Sequence, residues 1–335
     1  MGYRLWEGDP APSTTVGRLT FVPFLPSGEC AAILEPDRGL ALPAGEVAEG
    51  EHWLIDACLR IPLATAGLRP QRVHSFAVDG DHRYVWIESE RYSGDRRPCA
   101  DVALVTGDPA RIAARFETAG QPAEARAVRD AAQSMRGQSD EDYYADNLRL
   151  LEPAYLRGTT PQQGSGFGGD AARWRARRSM IVDGIDRDGS FLDVGCANGL
   201  LMESVREWAA ERGYEIEPYG VDLSPGLVAL ARSRLPRWAD RIGVGNAIDY
   251  RPANGQRFTF VHLLLDLVPV ARRADLVRHA LATLVAAGGR LLVSHYQQGT
   301  DRTAAEHLRA LGFPVAGESH GAGPVRAATT AWLDA

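Results

Sequence analysis

The segment of residues 190–224 constrains the fold more than any other part of the chain. It opens with a short apolar run at 191–194, which ends abruptly at the glycine-containing turn 195–199. Apolar residues then recur at helical spacing, and this pattern predicts a strand, a tight turn and a helix. A second apolar run, 219–221, stops at Asp222 and is followed by another helical pattern. Two successive strand–helix units predict a parallel sheet with right-handed crossovers and a ligand crevice beyond the carboxyl ends of its strands.

The chemistry of the turn narrows the class of ligand. Gly195 and Gly199 lack side chains where a cofactor would touch the backbone, and the N–H groups that open the helix favour a polar or anionic group. Asp222 ends the second strand, where it is placed to accept both hydroxyls of a ribose. Ala197 occupies the position of the second glycine in a dinucleotide-binding fingerprint, which disfavours the close approach of a pyrophosphate. The carboxylate of Asp193 would repel a pyrophosphate but suits the ammonium group of an amino-acid moiety.

Residues 193–199 and 220–224 resemble two motifs of class I S-adenosylmethionine-dependent methyltransferases, the first glycine-containing motif and the acidic end of the second strand. The resemblance covers residues from about 140 to the end of the chain. Three further segments match the family in order: 245–249 resembles the loop that contacts adenine, 258–269 the fourth strand with its substrate-side exit, and 286–293 the glycine turn that feeds the fifth strand. The resemblance implies a Rossmann-like doubly wound sheet and S-adenosylmethionine as the cofactor.

The resemblance also implies which residues contact the cofactor. Most of them lie in the two motifs, in the adenine loop and on the fourth strand, and three precede the first motif. The predicted cofactor-binding residues are Asp193, Gly195, Cys196, Ala197, Asn198, Gly199, Asp222, Leu223, Asn246, Ala247, Leu264, Phe167, Trp174 and Arg178. A doubly wound domain that binds nothing is the alternative, and the ordered set of motifs argues against it.

Residues 164–170 contain too much glycine for a helix or strand and are too few for a linker, which predicts a mobile flap. In similar methyltransferases the segment before the first motif folds over the cofactor. We therefore expect Phe167, Trp174 and Arg178 to shield or grip it, since exclusion of water favours the transfer. The alternative is a flexible surface loop with Trp174 packed in the interior.

The acceptor side is predicted at the exits of the fourth and fifth strands. Methyl transfer from a sulfonium is an in-line displacement, so a base is needed only if the acceptor carries a proton at attack. The catalytic or substrate-side candidates are Asp266, His295, Tyr296, Tyr143 and Tyr144. His295 is the best candidate for a general base, because a free imidazole titrates near neutrality. A histidine hydrogen-bonded within the sheet is the alternative for His295, and His262, inside the fourth strand, is expected to be structural.

Residues 1–105 do not alternate strands and helices in this way. A helix is predicted at about residues 51–66, and β-like runs are separated by turn signals. The predicted strands are 19–24, 30–34, 72–78, 82–87 and 102–105. The first part of the chain is therefore predicted to be a mixed α+β module.

Residues 42–51 resemble the opening of a Nudix box, because Glu51 follows Gly45 at the spacing of that motif. The family continues with an Arg-Glu pair and paired glutamates, whereas residues 59–67 read Leu-Arg-Ile-Pro-Leu-Ala-Thr-Ala-Gly. The missing carboxylates are those that would hold divalent metals against a diphosphate. We therefore expect a Nudix-like fold without hydrolysis and without a metal site, which serves recognition, partner binding or dimerisation. Pro62 predicts a kink or an early end of the helix.

Residues 106–140 are rich in Ala, Arg and Glu and predict a helical connector with a break at 119–122. The likeliest hinge is 138–142, where Ser139 or Asp140 is a candidate cap for the next helix. The predicted organisation is a Nudix-like α+β domain at 1–105, the connector at 106–140, and a class I methyltransferase domain at 141–335.

The charge and cysteine content limit the partners. A net charge of -6 disfavours a nucleic-acid backbone as the main partner. Cys30, Cys58, Cys99 and Cys196 form no Cys-x-x-Cys pattern, which argues against zinc and a disulfide framework and favours a reducing compartment. The sequence contains no signal-peptide core and no apolar stretch of membrane-spanning length. We expect a cytoplasmic protein with a small-molecule substrate, no nucleic-acid or membrane partner, and a homodimer through the N-terminal domain as one option.

The function predicted from the sequence is methyl transfer from S-adenosylmethionine to a small molecule. Two alternatives remain at this point. One is a regulatory protein that binds the cofactor without catalysis, and the other is a Nudix-type hydrolase of nucleoside diphosphate compounds.

Overall fold

The computed structural model describes residues 2–6, 15–36, 39–91, 102–296, 302–322 and 328–335, except for the side chain of Ile55. Cys99 lies outside this range. The chain forms two compact units, Met1–Leu150 and Leu151–Ala335. Each unit contains its own sheet and its own buried apolar clusters.

The described residues of the first unit form an eight-stranded mixed sheet. Its strands are β1 (Arg4–Leu5), β2 (Arg18–Phe24), β3 (Cys30–Glu35), β4 (Gly39–Ala41), β5 (Ala44–Glu46), β6 (Leu68–Asp79), β7 (His82–Arg91) and β8 (Ala103–Gly107). The order is β1-β6-β7-β2-β3-β4, and β5 and β8 pair with β2 and β3. β2 and β7 are parallel, and the other paired strands are antiparallel. The predicted mixed α+β architecture is confirmed.

The helices of this unit include the one predicted beside the Nudix-like motif. They are α1 (Cys58–Ala66), α2 (Pro109–Thr118), α3 (Pro122–Arg136) and α4 (Asp140–Leu156), which extends into the second unit. A π-helical turn, Trp53–Ala57, leads into α1. The early end that we predicted at Pro62 is wrong, because α1 continues to Ala66. The helix ends instead at Gly67, which has a φ of 62° and donates its N–H to the carbonyl of Leu63.

α2 and α3 belong to the core of the first unit. Ile112, Phe116 and Val128 are buried in one cluster with Phe24 and Trp86 of the sheet. One face of an apolar sheet must be covered by another layer, and these helices provide it. The compact unit therefore does not end at the predicted boundary after residue 105, and the predicted connector is part of its core.

The first half of α4 is held in the same unit by buried charges. Ser139 caps the helix, since its Oγ accepts the N–H of Asp142 at 3.2 Å. One turn further on, Asp146 is 5% exposed and lies 2.9 Å from an Nη of Arg72 on β6 and 3.2 Å from an Nη of Arg149. The boundary between the two units consequently falls inside α4 and not at 140/141, where we predicted it.

The described residues of the second unit form a seven-stranded sheet. Its strands are β9 (Gly189–Val194), β10 (Ile216–Asp222), β11 (Ile242–Val244), β12 (Phe258–Leu264), β13 (Val285–His295), β14 (Gly317–His320) and β15 (Thr329–Asp334). The order is β11-β10-β9-β12-β13-β15-β14; the first five are parallel, and β15 is antiparallel to both of its neighbours. This topology fits the predicted doubly wound, Rossmann-like sheet. The sequence also predicts strand structure at 325–333, of which 325–327 lie outside the described residues.

Helices pack on this sheet and fix its edges. They are α5 (Ala171–Arg178), α6 (Leu200–Ala210), α7 (Pro225–Arg234), α8 (Arg273–His279) and α9 (Ala304–Ala310). Phe191, Phe260 and Leu292 lie in one buried cluster with residues of α5 and α6. Thr303 and Glu306 form a capping box at the start of α9. Within the described ranges, no helix has both the length and the hydrophobicity that crossing a membrane requires.

Candidate cofactor site

The loop after β9 and the end of β10 meet at the carboxyl edge of the second sheet. The strand order reverses here, with β10 on one side of β9 and β12 on the other, and such a switch point is where doubly wound sheets bind ligands. Asp222 joins the two loops, because one of its oxygens accepts the N–H of Ala197 and the other that of Ser224, each at 2.8 Å. A carboxylate has about four acceptor positions, so two remain for a ligand.

Backbone conformation and packing both favour glycine at positions 195 and 199. Both have positive φ angles, 82° and 76°. A Cβ at Gly195 would lie 2.7 Å from a methyl carbon of Leu267, and one at Gly199 would lie 2.7 Å from a methyl carbon of Leu235. Packing against neighbouring side chains therefore also favours glycine at both positions, while their contact with a cofactor stays a prediction. Between these glycines Ala197 adopts a φ of 47°, a left-handed conformation uncommon for residues with a side chain.

Asn198 links the loop to the segment before α5. Its amide nitrogen donates to the carbonyl of Pro161 at 2.8 Å, and its side-chain oxygen accepts from Ser165 Oγ and from the N–H of Leu200. The side chain is 2% exposed and committed to these bonds. The structure thus gives Asn198 a role in holding the predicted flap residues against the loop, while its contact with a cofactor stays a prediction.

Carboxylates dominate the charge of this edge. Burial raises the pKa of Asp222, while the N–H groups of Ser224 and Ala197 lower it and the nearby Asp193 and Glu152 raise it again. Glu152, from the last part of α4, accepts a hydrogen bond from Ser224 Oγ. Sequence reasoning missed Glu152, because nothing local at residue 152 indicates that it folds against the start of α7.

Asp193 lies beneath the loop in a buried polar chain. Its carboxylate is 2.8 Å from Nδ1 of His262, whose Nε2 is 3.0 Å from Ser294 Oγ, and that hydroxyl is 2.7 Å from the hydroxyl of Thr330. All four residues are at most 2% exposed. One oxygen of Asp193 is therefore engaged with His262, and the predicted ammonium contact has only the remaining acceptor positions available.

The other residues of the predicted cofactor set lie around the same edge. Cys196 is buried, and burial raises the pKa of its thiol well above the ordinary value. Asn246 follows β11, and its side-chain oxygen accepts the N–H of Ile248 at 3.3 Å. Ala247 is 8% exposed, whereas Leu223 and Leu264 are partly exposed at the ends of β10 and β12.

The flap residues form an aromatic cluster around Arg178. The Phe167 and Trp174 rings are in edge contact, with centroids 5.4 Å apart. The Arg178 guanidinium carbon lies 5.3 and 5.2 Å from those rings and 3.3 Å from that of Tyr296. Trp174 is 5% exposed and donates its indole N–H to Ser204 at 3.0 Å, so its side chain is packed in the interior as in the alternative interpretation.

The guanidinium of Arg178 is buried among aromatic rings in the part of the chain that the structure describes. Burial lowers its pKa, and Asp266 and the rings of Tyr296 and Tyr155 partly offset this effect. The described residues provide no ion pair for its guanidinium. A buried guanidinium without a partner is costly in a folded protein, and such groups mark ligand sites.

The predicted catalytic residues lie at the exits of β12 and β13, and Asp266 is close enough to Tyr296 and Arg178 to raise the pKa of each. Asp266 is exposed just after β12, and Tyr296 lies against Arg178. Burial, with the nearby His307 and Arg273, lowers the pKa of His295 from 6.5 to about 3. Our reason for choosing His295 as a base, titration near neutrality, is therefore wrong for the free protein.

Tyr143 and Tyr144 lie in the first unit. Their exposures are 8% and 9%, and the guanidinium carbon of Arg72 is 5.2 Å from the centroid of the Tyr143 ring. This packing explains their aromatic character without a substrate. His307 on α9 is the group that sequence reasoning missed at the acceptor side, because only the folded chain brings it to the end of β13.

The described residues contain no cluster of three or more His, Cys, Asp or Glu side chains suited to a metal ion. Cys30, Cys58 and Cys196 are buried free thiols. A cavity of about 610 Å³ lies at the opposite, amino edge of β9 and β10, where Asp188, Arg206 and Glu217 line it. It is open and polar and does not coincide with the crevice between Gly195 and Asp222.

No family model matches the chain, and no curated protein matches it in sequence. Solved structures similar to it include the N-methyltransferase NodS from Bradyrhizobium japonicum WM9 in complex with S-adenosyl-L-homocysteine, with 16% identity, 55% of this chain and 95% of that chain covered, and a TM-score of 0.40. The 1,6-didemethyltoxoflavin-N1-methyltransferase of Burkholderia thailandensis is 15% identical, with 59% of this chain and 90% of that chain covered and a TM-score of 0.42. The [4+2]-cyclase SpnF is 16% identical, with 58% of this chain and 94% of that chain covered and a TM-score of 0.39.

Proposed function

We propose that the second unit binds S-adenosylmethionine and transfers its methyl group to a small-molecule acceptor. The single observation that carries this proposal is the acidic crevice at the switch point, where Asp193 and Glu152 lie close enough to Asp222 to raise its pKa. Such a crevice repels a pyrophosphate and suits a cofactor with a sulfonium and an ammonium group. The motif resemblance leads to the same cofactor.

Each part of the cofactor has a matching group. The two uncommitted acceptor positions of Asp222 suit the ribose hydroxyls. The guanidinium of Arg178, for which the described residues provide no ion pair, suits the cofactor carboxylate, with which arginine forms paired hydrogen bonds. Asn246 and Ala247 supply polar and backbone groups for the adenine. Phe167, beside Arg178, covers the site from the flap.

The chemistry needs little from the protein beyond position. The acceptor lone pair would form a bond to the methyl carbon as the carbon–sulfur bond breaks. The electron pair of the broken bond would stay on sulfur and neutralise its positive charge. Alignment of the two reactants supplies much of the rate. His295, with a pKa of about 3, is a weak base, and burial raises the pKa of Tyr296 and keeps its phenol protonated, so a proton lost by the acceptor passes to Asp266 or solvent.

Binding and turnover test the proposal separately. Calorimetric titration should show saturable binding of S-adenosylmethionine and S-adenosylhomocysteine, and retention of a nicotinamide or flavin dinucleotide instead would refute it. Release of S-adenosylhomocysteine in the presence of a host metabolite extract tests transfer. Cofactor binding without release would favour the regulatory alternative, in which the fold binds the cofactor and transfers nothing.

We also propose that the first unit is Nudix-like but does not hydrolyse diphosphates. Both oxygens of Glu51 are bonded to Arg60, at 2.6 Å from Nε and 2.6 Å from an Nη, so the carboxylate is committed to a guanidinium. Recognition, partner binding or homodimerisation is the proposed role, in a cytoplasmic protein. Magnesium-dependent cleavage of nucleoside diphosphate compounds, abolished by Glu51→Gln, would overturn this assignment.

A further inference from the structure

Two imidazoles meet at the carboxyl end of β13. The ring centroids of His295 and His307 are 4.8 Å apart, and His307 reaches this position from α9. Nε2 of His307 is buried and has no hydrogen-bond partner among the described residues. A buried polar atom without a partner costs free energy unless a ligand or water satisfies it, so this nitrogen indicates a binding site.

The charges around the pair are mainly positive. Arg273, the first residue of α8, lies close enough to lower the pKa of both imidazoles, and Arg302 also acts on His307. Glu306 is the carboxylate that acts on His307 in the opposite direction. Its side chain already accepts the N–H of Thr303 at 2.7 Å in the capping box of α9.

The Arg273 side chain retains donors for a ligand. Its Nε donates to the carbonyl of Leu265 at 3.1 Å, which fixes the guanidinium beside the exit of β12. Arg273 forms no ion pair with the described residues, so its terminal N–H groups are not committed to a carboxylate. Burial and the nearby positive charges lower the pKa of both imidazoles, which favours the neutral ring with one N–H to donate.

We propose that Arg273 and His307 hold a carboxylate of the methyl acceptor, so that the substrate is an organic acid. The planar guanidinium suits a carboxylate, and the Nε2–H tautomer of His307 adds a further donor. This assignment rests on the proposed methyltransferase function. It also divides the edge of the sheet: carboxylates receive the cationic cofactor on the β9–β10 side, and cationic or neutral donors receive an anionic acceptor beyond β13.

The test compares carboxylates with their neutral amides. Acetate and benzoate are titrated against acetamide and benzamide, and the side-chain ¹⁵N–¹H spectra of the histidines are followed with and without S-adenosylhomocysteine. Saturable binding of a carboxylate should raise the pKa of His307 toward the ordinary value, since a nearby anion favours the charged imidazole. Equal binding of an acid and its amide, or no saturable binding of either acid, would overturn the proposal.

Matched variants assign the effect to residues. Arg273→Gln should weaken carboxylate binding at least about tenfold, as expected for a hydrogen-bonded charge. Arg278→Gln removes the same charge from an exposed position of α8 that pairs with Asp275, and it should leave binding unchanged. Equal loss in the two variants would contradict a local site and indicate a general charge effect.

A second pair covers the case in which Arg273→Gln does not fold. His307→Gln keeps a donor near Nε2 and should retain most of the binding, whereas His307→Phe should lose it. Equal affinity of these two variants for the carboxylate would overturn the role of His307. Failure to bind S-adenosylhomocysteine would refute the proposed function alone, because the carboxylate titration is also done without that ligand.

Discussion

The carboxyl edge of the second sheet and helix α1 of the first unit differ in what controls their ionisable groups. At the edge, burial is the main influence: it raises the pKa of Asp222 and lowers that of His295. Beside α1, the main influence is a partner, since Arg60 lowers the pKa of Glu51 to about 2. Asp222 and Glu51 both lie in motifs that resemble those of known enzyme families.

The difference shows why a motif residue must be judged by its partners. Both side-chain oxygens of Glu51 accept hydrogen bonds from the guanidinium of Arg60. Asp222 accepts only two backbone N–H groups and keeps further acceptor positions. A carboxylate that is buried yet incompletely bonded is a candidate for ligand binding, whereas one bonded to an arginine on the surface is part of the scaffold.

The largest effect is expected when the charge of Asp222 is removed from the carboxyl edge of the second sheet. Asp222→Asn should weaken binding of S-adenosylhomocysteine at least about 100-fold, or about 3 kcal/mol, because two hydroxyl bonds to a charged acceptor are weakened. Calorimetric titration measures it. Glu51→Gln is the matched control and should bind as the wild type does. Equal affinities of Asp222→Asn and the wild type would break the contrast between the two regions.

A smaller effect is expected from the burial of His295. The imidazole has a pKa of about 3 in the folded protein and 6.5 ordinarily, so between these values the unfolded state binds a proton that the folded state does not. The free energy of unfolding should therefore fall as the pH drops below 6.5. Between pH 7 and 4.5, the wild type should lose about 2 to 3 kcal/mol more than His295→Gln, measured by urea denaturation.

The matched control for that measurement is His320→Gln, at an exposed position of β14. It should retain the acid sensitivity of the wild type. If His295→Gln and the wild type lose stability equally on acidification, burial does not control this imidazole.

The smallest effect is expected at the surface pair of α1. The pKa of Glu51 is about 2 instead of 4.5, so its ion pair stabilises the fold above pH 4.5 and is lost as the pH falls toward 2. Because Arg60 is 45% exposed, solvent screens the pair. Glu51→Gln and Arg60→Gln should each lower the free energy of unfolding at pH 7 by at most about 1 kcal/mol, measured by urea denaturation. A loss of several kcal/mol in either variant would show that this pair, too, is governed by burial.

Sequence patterns predicted the elements whose determinants are local. The strand–turn–helix at 190–208 and the acidic end of β10 follow from apolar spacing and glycine positions. The seven-stranded order then places Asp222 at the switch point. The class of fold and the edge that carries the candidate site were therefore within reach of the sequence.

Features that depend on contacts between distant parts of the chain could not be predicted from the sequence. Leu267 and Leu235 fill the space beside the two glycines of the loop, and no local pattern predicts which side chain arrives there. The neutral state of His295 depends on burial and on His307, which comes from another helix. The domain boundary was misplaced because Asp146 meets Arg72 across a long stretch of chain.

This last contact has a practical consequence for dividing the molecule. A fragment that stops at residue 140 would remove Asp146, the hydrogen-bonded partner of Arg72 and His74, both less than 10% exposed, and would leave Arg72 only the more distant Glu88 at 3.9 Å. Loss of one partner of a buried pair costs several kcal/mol, a large share of a domain's stability. Expression of the N-terminal portion should therefore yield insoluble material when it ends at 140 and a folded product when it retains α4 through Leu150.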